Sequence, residues 1–374
     1  MLPLFVTSFP FLIQLTAILS LIAFIIICAT IVFIFVNRVR RAGFKRDIIK
    51  AEKIVYEDLS DNFLIYNTLS EIPEKKLEQE LNRLSKLKNS SKIFRQALIE
   101  TMVKFKLNLS GTMVEIIEAA YLRLGLNKLV VSKLKSSIWS KRAEALNQIQ
   151  EMNDSSSLAK VEAATKDRNI DVRVNAYAAL IRLNASDCFT FLIEEKQQLS
   201  AWHQVYLLDA ISKATNLQLP DFSNYLKVGN KSIISLCIKI IVHYKRFETI
   251  PTMIGLLNRR DEELNYQLIE ALGLLNAEEA EEELKEIYQQ EPENNKSQIL
   301  LALGNIASGA SLQFITAEFL KNRSHLLLKS ATQAMAQHRP AFASAALQTS
   351  QNLTSGQQLM LKHFKEPLNL HGIL

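Results

Sequence analysis

Glycine and proline are scarce in this chain, ten and eight among 374 residues. So few turn-formers over that length exclude a turn-rich β architecture. Cysteine is scarcer still. Cys28, Cys188 and Cys237 are an odd and scattered set, which offers neither a disulfide framework nor a metal-ligand spacing. Reduced, buried thiols are expected at 188 and 237, because free cysteine packs as a small hydrophobe. Catalytic signatures are absent too: no phosphate-binding G-x-x-x-x-G-K, no G-x-G-x-x-G, no H-E-x-x-H and no G-x-S-x-G. The six histidines, His203, His243, His325, His338, His363 and His371, never pair at ligand spacing on one helix. Trp139 and Trp202, the two tryptophans, each lie near the start of a repeat's first helix, where packing explains them. The chain is therefore expected not to be an enzyme, and no cofactor or metal is expected.

The next absence is local. From Phe11 to Val36 there is no charged side chain. Twenty-six helical residues rise about 39 Å, enough to cross a hydrocarbon core of about 30 Å with some tilt. Gln14, Thr16, Ser20 and Thr30 are the polar exceptions, and each can return its hydrogen bond to the helix backbone. A cleaved signal peptide would need a basic start, a shorter apolar core and a small-residue cleavage site, and the run has none of these. Seven basic residues follow it: Arg38, Arg40, Arg41, Lys45, Arg46, Lys50 and Lys53, opposed by Asp47 and Glu52. The positive-inside rule then predicts a single-pass inner-membrane protein, N-terminus outside, with everything after Asn37 cytoplasmic. Arg38, Arg40, Arg41, Lys45 and Arg46 form the expected membrane interface, where anionic lipid attracts basic side chains by about 1 kcal/mol each. This segment carries +5 of the chain's +6, so the high pI is a juxtamembrane property and not the footprint of a nucleic-acid-binding domain.

Everything beyond reads as helix after helix. EKKLEQELNRLSKL at 74–87, SKIFRQALIETMVKF at 91–105 and GTMVEIIEAAYLRLGL at 111–126 are each amphipathic at helical spacing. From Ser136 a repeat emerges, anchored on a small residue followed by an aliphatic one: Ala145-Leu146, Ala179-Leu180, Ala210-Ile211, Ala271-Leu272, Ala302-Leu303 and Ala334-Met335. One copy departs, with Lys239 before Ile240. The second anchor residues are 34, 31, 29, 32, 31 and 32 apart, the interval of two short helices and two turns. A small anchor lets a paired helix approach closely, and stacking hairpins buries one continuous core. Asp154, Asn169, Asn230, Asn258 and Asn294 punctuate the junctions.

The stretch Asp171-Val172-Arg173-Val174-Asn175-Ala176-Tyr177-Ala178-Ala179-Leu180 resembles the HEAT repeat, in particular the bacterial HEAT-like type with its D-x-R-x-x-A-x-x-A-L helix; Arg142, Ala143, Ala145 and Leu146 match in part. The resemblance implies an all-α fold, an N-terminal transmembrane helix followed by an α-α superhelix (a HEAT-like solenoid). The expected organisation is an anchor at 1–37, a basic juxtamembrane linker at 38–73, a helical cap or degenerate repeats at 74–135, the array at 136–350 and a tail at 351–374. It also implies a structural ladder between repeats made by Asp171 and Arg173.

Charge is polarised along the chain. Residues 74–142 carry +9, residues 261–293 carry −11, and residues 294–374 return to +5. The acidic stretch, with Glu278, Glu279, Glu281, Glu282, Glu283 and Glu286, is the candidate binding surface for a basic partner, since complementary fields steer association. These readings together predict a membrane-tethered, non-catalytic scaffold or adaptor. Its partner is expected to be a protein with a basic surface, itself a membrane protein or its cytoplasmic domain, with anionic lipid at the juxtamembrane segment and no nucleic acid. The resemblance to membrane-anchored bacterial HEAT proteins extends this to an envelope or exopolysaccharide assembly served by a glycosyltransferase. HEAT-like relatives also include phycobilin lyases and alkylpurine DNA glycosylases, so an enzyme and a nucleic-acid binder are the alternatives.

Overall fold

A computed structural model describes residues 11–62, 66, 71–109, 111–257, 261–321, 323–338 and 353–365, with the backbone only for residues 11–14, 41, 62, 112 and 363–365. The chain is all-helical, with no β-strand among the described residues. It divides into two compact units, Met1–Ser157 and Leu158–Leu374.

Unit 1 begins with α1, Phe11–Asn62, one unbroken helix of 52 residues. Its first part is long and apolar enough to cross a membrane by length and composition, and every side chain from Leu15 to Val36 is exposed. Thr30 Oγ1 donates to the Ile26 carbonyl at 2.7 Å, the backbone return expected of a hydroxyl with no other partner. The segment anticipated as a linker at 38–73 is helical as far as Asn62 and continuous with the apolar run. Its last turns are core: Ala51, Val55 and Leu59, one turn apart, are buried.

They pack on α3, Lys92–Asn108. Tyr56 stacks on Phe105 with ring centroids 4.8 Å apart, and Lys104 reaches Glu52 at 2.7 Å. From α2, Glu74–Ser90, Arg83 meets the buried Asp58 at 2.6 Å. Ser91 caps α3 by accepting from the Phe94 N–H, so α2 and α3 join through one residue. The unit continues with α4 (Thr112–Arg123), α5 (Leu126–Lys133) and α6 (Trp139–Glu151). Gly125 ends α4 in the left-handed region, φ 64°, a conformation glycine adopts without steric cost.

Unit 2 has two layers. One is a row of six helices of 13 or 14 residues: α8 (Ile170–Arg182), α10 (Ala201–Lys213), α11 (Lys231–Tyr244), α13 (Glu262–Leu274), α15 (Glu293–Ile306) and α17 (His325–Gln337). The other layer holds shorter helices between them: α7 (Leu158–Ala164), α9 (Phe191–Glu194), α12 (Ile250–Leu256), α14 (Glu281–Ile287) and α16 (Leu312–Lys321). α18, Ser355–Lys365, follows α17 and packs on it. The row helices run parallel. Lys231 meets Asp261 at the N-terminal ends, and Gln337 meets Asn305 at the C-terminal ends. The anchor residues Ala179, Ala210, Ala271, Ala302 and Ala334 are buried with their aliphatic neighbours.

Two of these alanines lie against the preceding helix of the row. A Cβ added to Gly273 would lie 2.7 Å from Ala302 Cα, and one on Gly304 would lie 2.5 Å from Ala334 Cα. The backbones of α13, α15 and α17 therefore meet without intervening side chains.

Six successive repeat ends share a left-handed residue. Asn153, Asn184, Asn216, Lys245, Asn276 and Ala307 all have positive φ, between 49° and 58°, and they are 31, 32, 29, 31 and 31 apart. Four of the six are asparagine, the non-glycine residue most at ease there. At 153, 184, 245 and 276 the following N–H bonds back across the last turn, as from Ala185 to the Leu180 carbonyl at 3.0 Å. These residues, not Asn294, set the period; Asp154 follows the first of them at its junction, buried and accepting from the Ser156 and Ser157 hydroxyls. Asn169 and Asn230 do act at junctions, as N-caps of α8 and α11. Asn258 and the tail residues 351–352 and 366–374 lie outside the described residues.

Candidate functional site

The residues anticipated as an interrepeat ladder do not touch each other; each makes a different rung. Arg173 grips Glu195 through both carboxylate oxygens, Nε to Oε2 at 2.8 Å and Nη2 to Oε1 at 3.0 Å. Nη1 also donates to the Asp167 carbonyl at 2.9 Å. Tyr177 adds its hydroxyl to Glu195 Oε2 at 3.0 Å while its ring stacks on Phe191. Burial would raise the Glu195 carboxyl, but the hydrogen bonds from Arg173, the Gln197 N–H and Tyr177 hold it below the usual carboxylate range. The bidentate pair ties α8 to the segment that follows α9. Asp171 instead reaches the next helix of the row, where its Oδ1 lies 3.0 Å from His203 Nε2. The other His203 ring nitrogen accepts from the Ser200 N–H and completes a capping box.

The acidic stretch is split by its own fold. Glu278 and Glu279 lie on a 3₁₀ turn and are exposed, as are Glu282 and Glu286 on α14; Glu283 is half-buried. Glu281 does not belong to the surface patch. It is 4% exposed and accepts a hydrogen bond from Ser311 Oγ, inside the packing between neighbouring repeats. Its Oε1 has no hydrogen-bond partner among the described residues, and sequence spacing could not show that Glu281 points inward. Lys285 neutralises part of the remainder by pairing with Glu282 at 2.7 Å.

Arg38, Arg40, Lys45 and Arg46 are exposed on α1, and no ion pair holds them among the described residues. The side chain of Arg41 lies outside the described residues. Trp139 and Trp202 are 47% and 73% exposed, so packing does not account for them; both begin row-type helices in the outward first turn. Cys188 and Cys237 are free and buried, and burial pushes the Cys188 thiol up to about 11.

One concavity escaped the sequence reading. It runs over α11 in unit 2, at the one copy where the small anchor is replaced by Lys239. That substitution was the available signal, visible as a break in an otherwise regular repeat.

No family model matches the chain, and no curated protein matches it. Solved structures similar to it include human deoxyhypusine hydroxylase in complex with glycerol. That likeness has 14% identity and a TM-score of 0.29, and covers 71% of this chain and 97% of that one. An engineered protein is similar at 14% identity and a TM-score of 0.33, over 87% of this chain and 99% of its own. At these scores the likeness carries no site residue over to this chain. The expectation that the chain is not an enzyme is withdrawn. The physical reason is that stacked hairpins bring together side chains about 30 residues apart, as Asp171 and His203 are here. Contiguous motifs therefore do not report on what such a fold can assemble.

Proposed function

We propose that the chain is a membrane-tethered adaptor: a HEAT-like helical array, held to an inner membrane by a single span, that binds a protein partner. The observation that carries this reading is α1. One helix is wholly exposed and apolar at its start, basic in its middle and buried in unit 1 at its end. A lipid-facing helix has no other way to satisfy so much apolar surface, and its continuity makes unit 1 rigid with the span. Arg38, Arg40, Lys45 and Arg46 fall where anionic headgroups would meet them. The basic cluster favours the N-terminus outside and both units in the cytoplasm. The partner presents a basic surface to the exposed Glu278, Glu279, Glu282 and Glu286, without Glu281.

A cytoplasm-dependent reporter fused after Leu374 is expected to be active, and an impermeant thiol reagent is expected to miss an exposed Trp202→Cys in intact cells and to reach it after permeabilisation. Labelling from outside overturns the orientation. Neutralising Arg38, Arg40, Arg41, Lys45 and Arg46 is expected to mix the topology. Changing Glu278, Glu279, Glu282 and Glu286 to Gln is expected to weaken partner recovery from solubilised membranes and to flatten its salt dependence; unchanged recovery at every salt concentration removes the acidic patch from the interface.

A further inference from the structure

Along the row of unit 2 the helices do not all approach equally. α13, α15 and α17 meet at backbone distance through Gly273, Ala302, Gly304 and Ala334. α11 is different, because Lys239 stands where the other copies have alanine. A lysine at that position must leave the contact, and the flanking helices α10 and α13 cannot close over it. The result is a groove whose floor is α11 and whose walls are α10 and α13. It runs from Lys231 to Val242, about 16 Å at 1.5 Å per residue. Its two halves differ. Near Ser232 and Ser235 it holds about 360 Å³ and is polar, with Gln204 and Gln267 on the walls. Beyond Lys239 it holds about 300 Å³ and is lined by Leu208, Ile238, Val242 and Leu274.

Lys239 sits where the halves join. Its ammonium donates to Gln204 Oε1 at 2.5 Å, an oxygen that also accepts from Ser235 Oγ at 3.1 Å. It has no acidic partner among the described residues, its side chain remains exposed to the groove, and partial burial lowers its pKa. The neighbouring charges differ from it. Asp261 is neutralised by Lys231 at 2.5 Å. Glu263 and Glu270, two turns apart on the α13 wall, are exposed and solvated. A carboxylate entering the groove would therefore gain most at Lys239, whereas a run of acids would be repelled by the wall. Leu274 is 56% exposed beside the apolar half, leaving an unfilled seat about one helical turn from the ammonium.

We propose that this groove docks a segment of a protein partner that presents one carboxylate side chain to Lys239 and an aliphatic or aromatic side chain, three or four residues away, to the seat formed by Leu208, Val242 and Leu274. The inference rests on the adaptor reading only in taking the occupant to be protein. The site is separate from the acidic patch and opposite in charge preference.

The test uses the full chain in lipid nanodiscs as bait for a phage library of random 12-residue peptides. Selected peptides are expected to carry a single Asp or Glu three or four residues from a Leu, Ile or Phe. Synthetic copies are expected to bind Lys239→Met at least tenfold more weakly and Leu274→Ser at least threefold more weakly, while Lys239→Arg retains binding within threefold. Both weakened variants are expected to keep the wild-type melting midpoint. Peptides that lack the acid, or that bind Lys239→Met as tightly as wild type, overturn the proposal, as does a library that yields no binder above the empty-nanodisc background. The adaptor reading fails separately, when the full chain recovers no partner from membranes whatever residue stands at 239. The groove alone fails when a partner is recovered and Lys239→Met retains it.

Discussion

The two ends of unit 2 are built from the same repeat and held together differently. From α13 to α17 the row is closed by small residues, so backbone lies on backbone at Gly273–Ala302 and Gly304–Ala334. From α8 to α11 the rungs are polar: Asp171 with His203, Arg173 with Glu195, Asn230 with the Glu195 and Gln197 carbonyls, Lys239 with Gln204. Apolar close packing is indifferent to pH and intolerant of added volume. Hydrogen-bonded rungs tolerate space between helices and depend on charge. Gly273 and Gly304, where α8, α10 and α11 carry Ile181, Ser212 and Ile241, separate the two regimes, and Lys239 in place of alanine opens the groove.

The comparison breaks most readily at its closed end. Gly304→Leu places a side chain where Ala334 backbone already sits, and a loss of about 3 kcal/mol or more is expected from overpacking that no rotamer relieves. Thermal melting of the full chain in detergent measures it. Gly255, on α12 with open space where its Cβ would go, is the control: Gly255→Ala is expected to gain about 0.5 kcal/mol from helix propensity. Equal effects at the two glycines would remove the close-packing account.

At the polar end the largest expected effect belongs to Glu195→Gln. Replacing a carboxylate that accepts from Arg173 and Tyr177 is expected to cost about 2 kcal/mol at pH 7. The folded carboxyl is held below its usual range, so the unfolded chain binds more protons in that window. The stabilisation is complete above about 4.3, the ordinary glutamate value, and is lost as pH falls from there through the lower folded value. Wild type and Glu195→Gln are therefore expected to converge in denaturant midpoint below about pH 4. A gap that persists into acid assigns the cost to packing instead of charge.

Lys239→Ala restores the small anchor at the open rung. Its stability is expected to change by less than about 1 kcal/mol, because an exposed cation held by one neutral acceptor, Gln204, contributes little. A loss well beyond that, read by the same melts, would show that the lysine itself holds the rungs. The smallest effects are expected where the two regimes agree, at the left-handed repeat ends. Lys245→Gly and Ala307→Gly are each expected to gain about 0.5–1 kcal/mol, and Asn216→Ala to lose a similar amount, because only the backbone preference changes. Losses on introducing glycine at 245 and 307 would mean that those side chains contribute contacts.

Much of the fold was legible because helices and their period are written locally. The apolar run from Phe11, the amphipathic segments near 74 and 91, and the small–large anchors each carry their own spacing. The repeat ends were legible in principle, since Asn153, Asn184 and Asn216 recur at nearly one interval and Asn276 follows at about twice that interval, yet asparagines in neighbouring turns diluted the pattern. The acidic patch was legible in charge but not in direction. A seven-residue helix has no long periodicity to show which glutamate faces in, and Glu281 was therefore counted with its exposed neighbours.

The sequence by itself determined that the chain is helical, that its repeats recur about every 31 residues and that one segment is apolar enough to cross a membrane, because backbone propensity and hydrophobic spacing act over a few turns. Only the tertiary structure decided that α1 runs unbroken from that segment into the core at Ala51, Val55 and Leu59, that Asp171 and Arg173 serve different rungs, that Glu281 is buried, and that Lys239 opens a groove. Each of these depends on which surfaces meet between segments some 30 residues apart, and the free energy of such meetings is set by packing and desolvation at the contact rather than by any residue's neighbours in the chain.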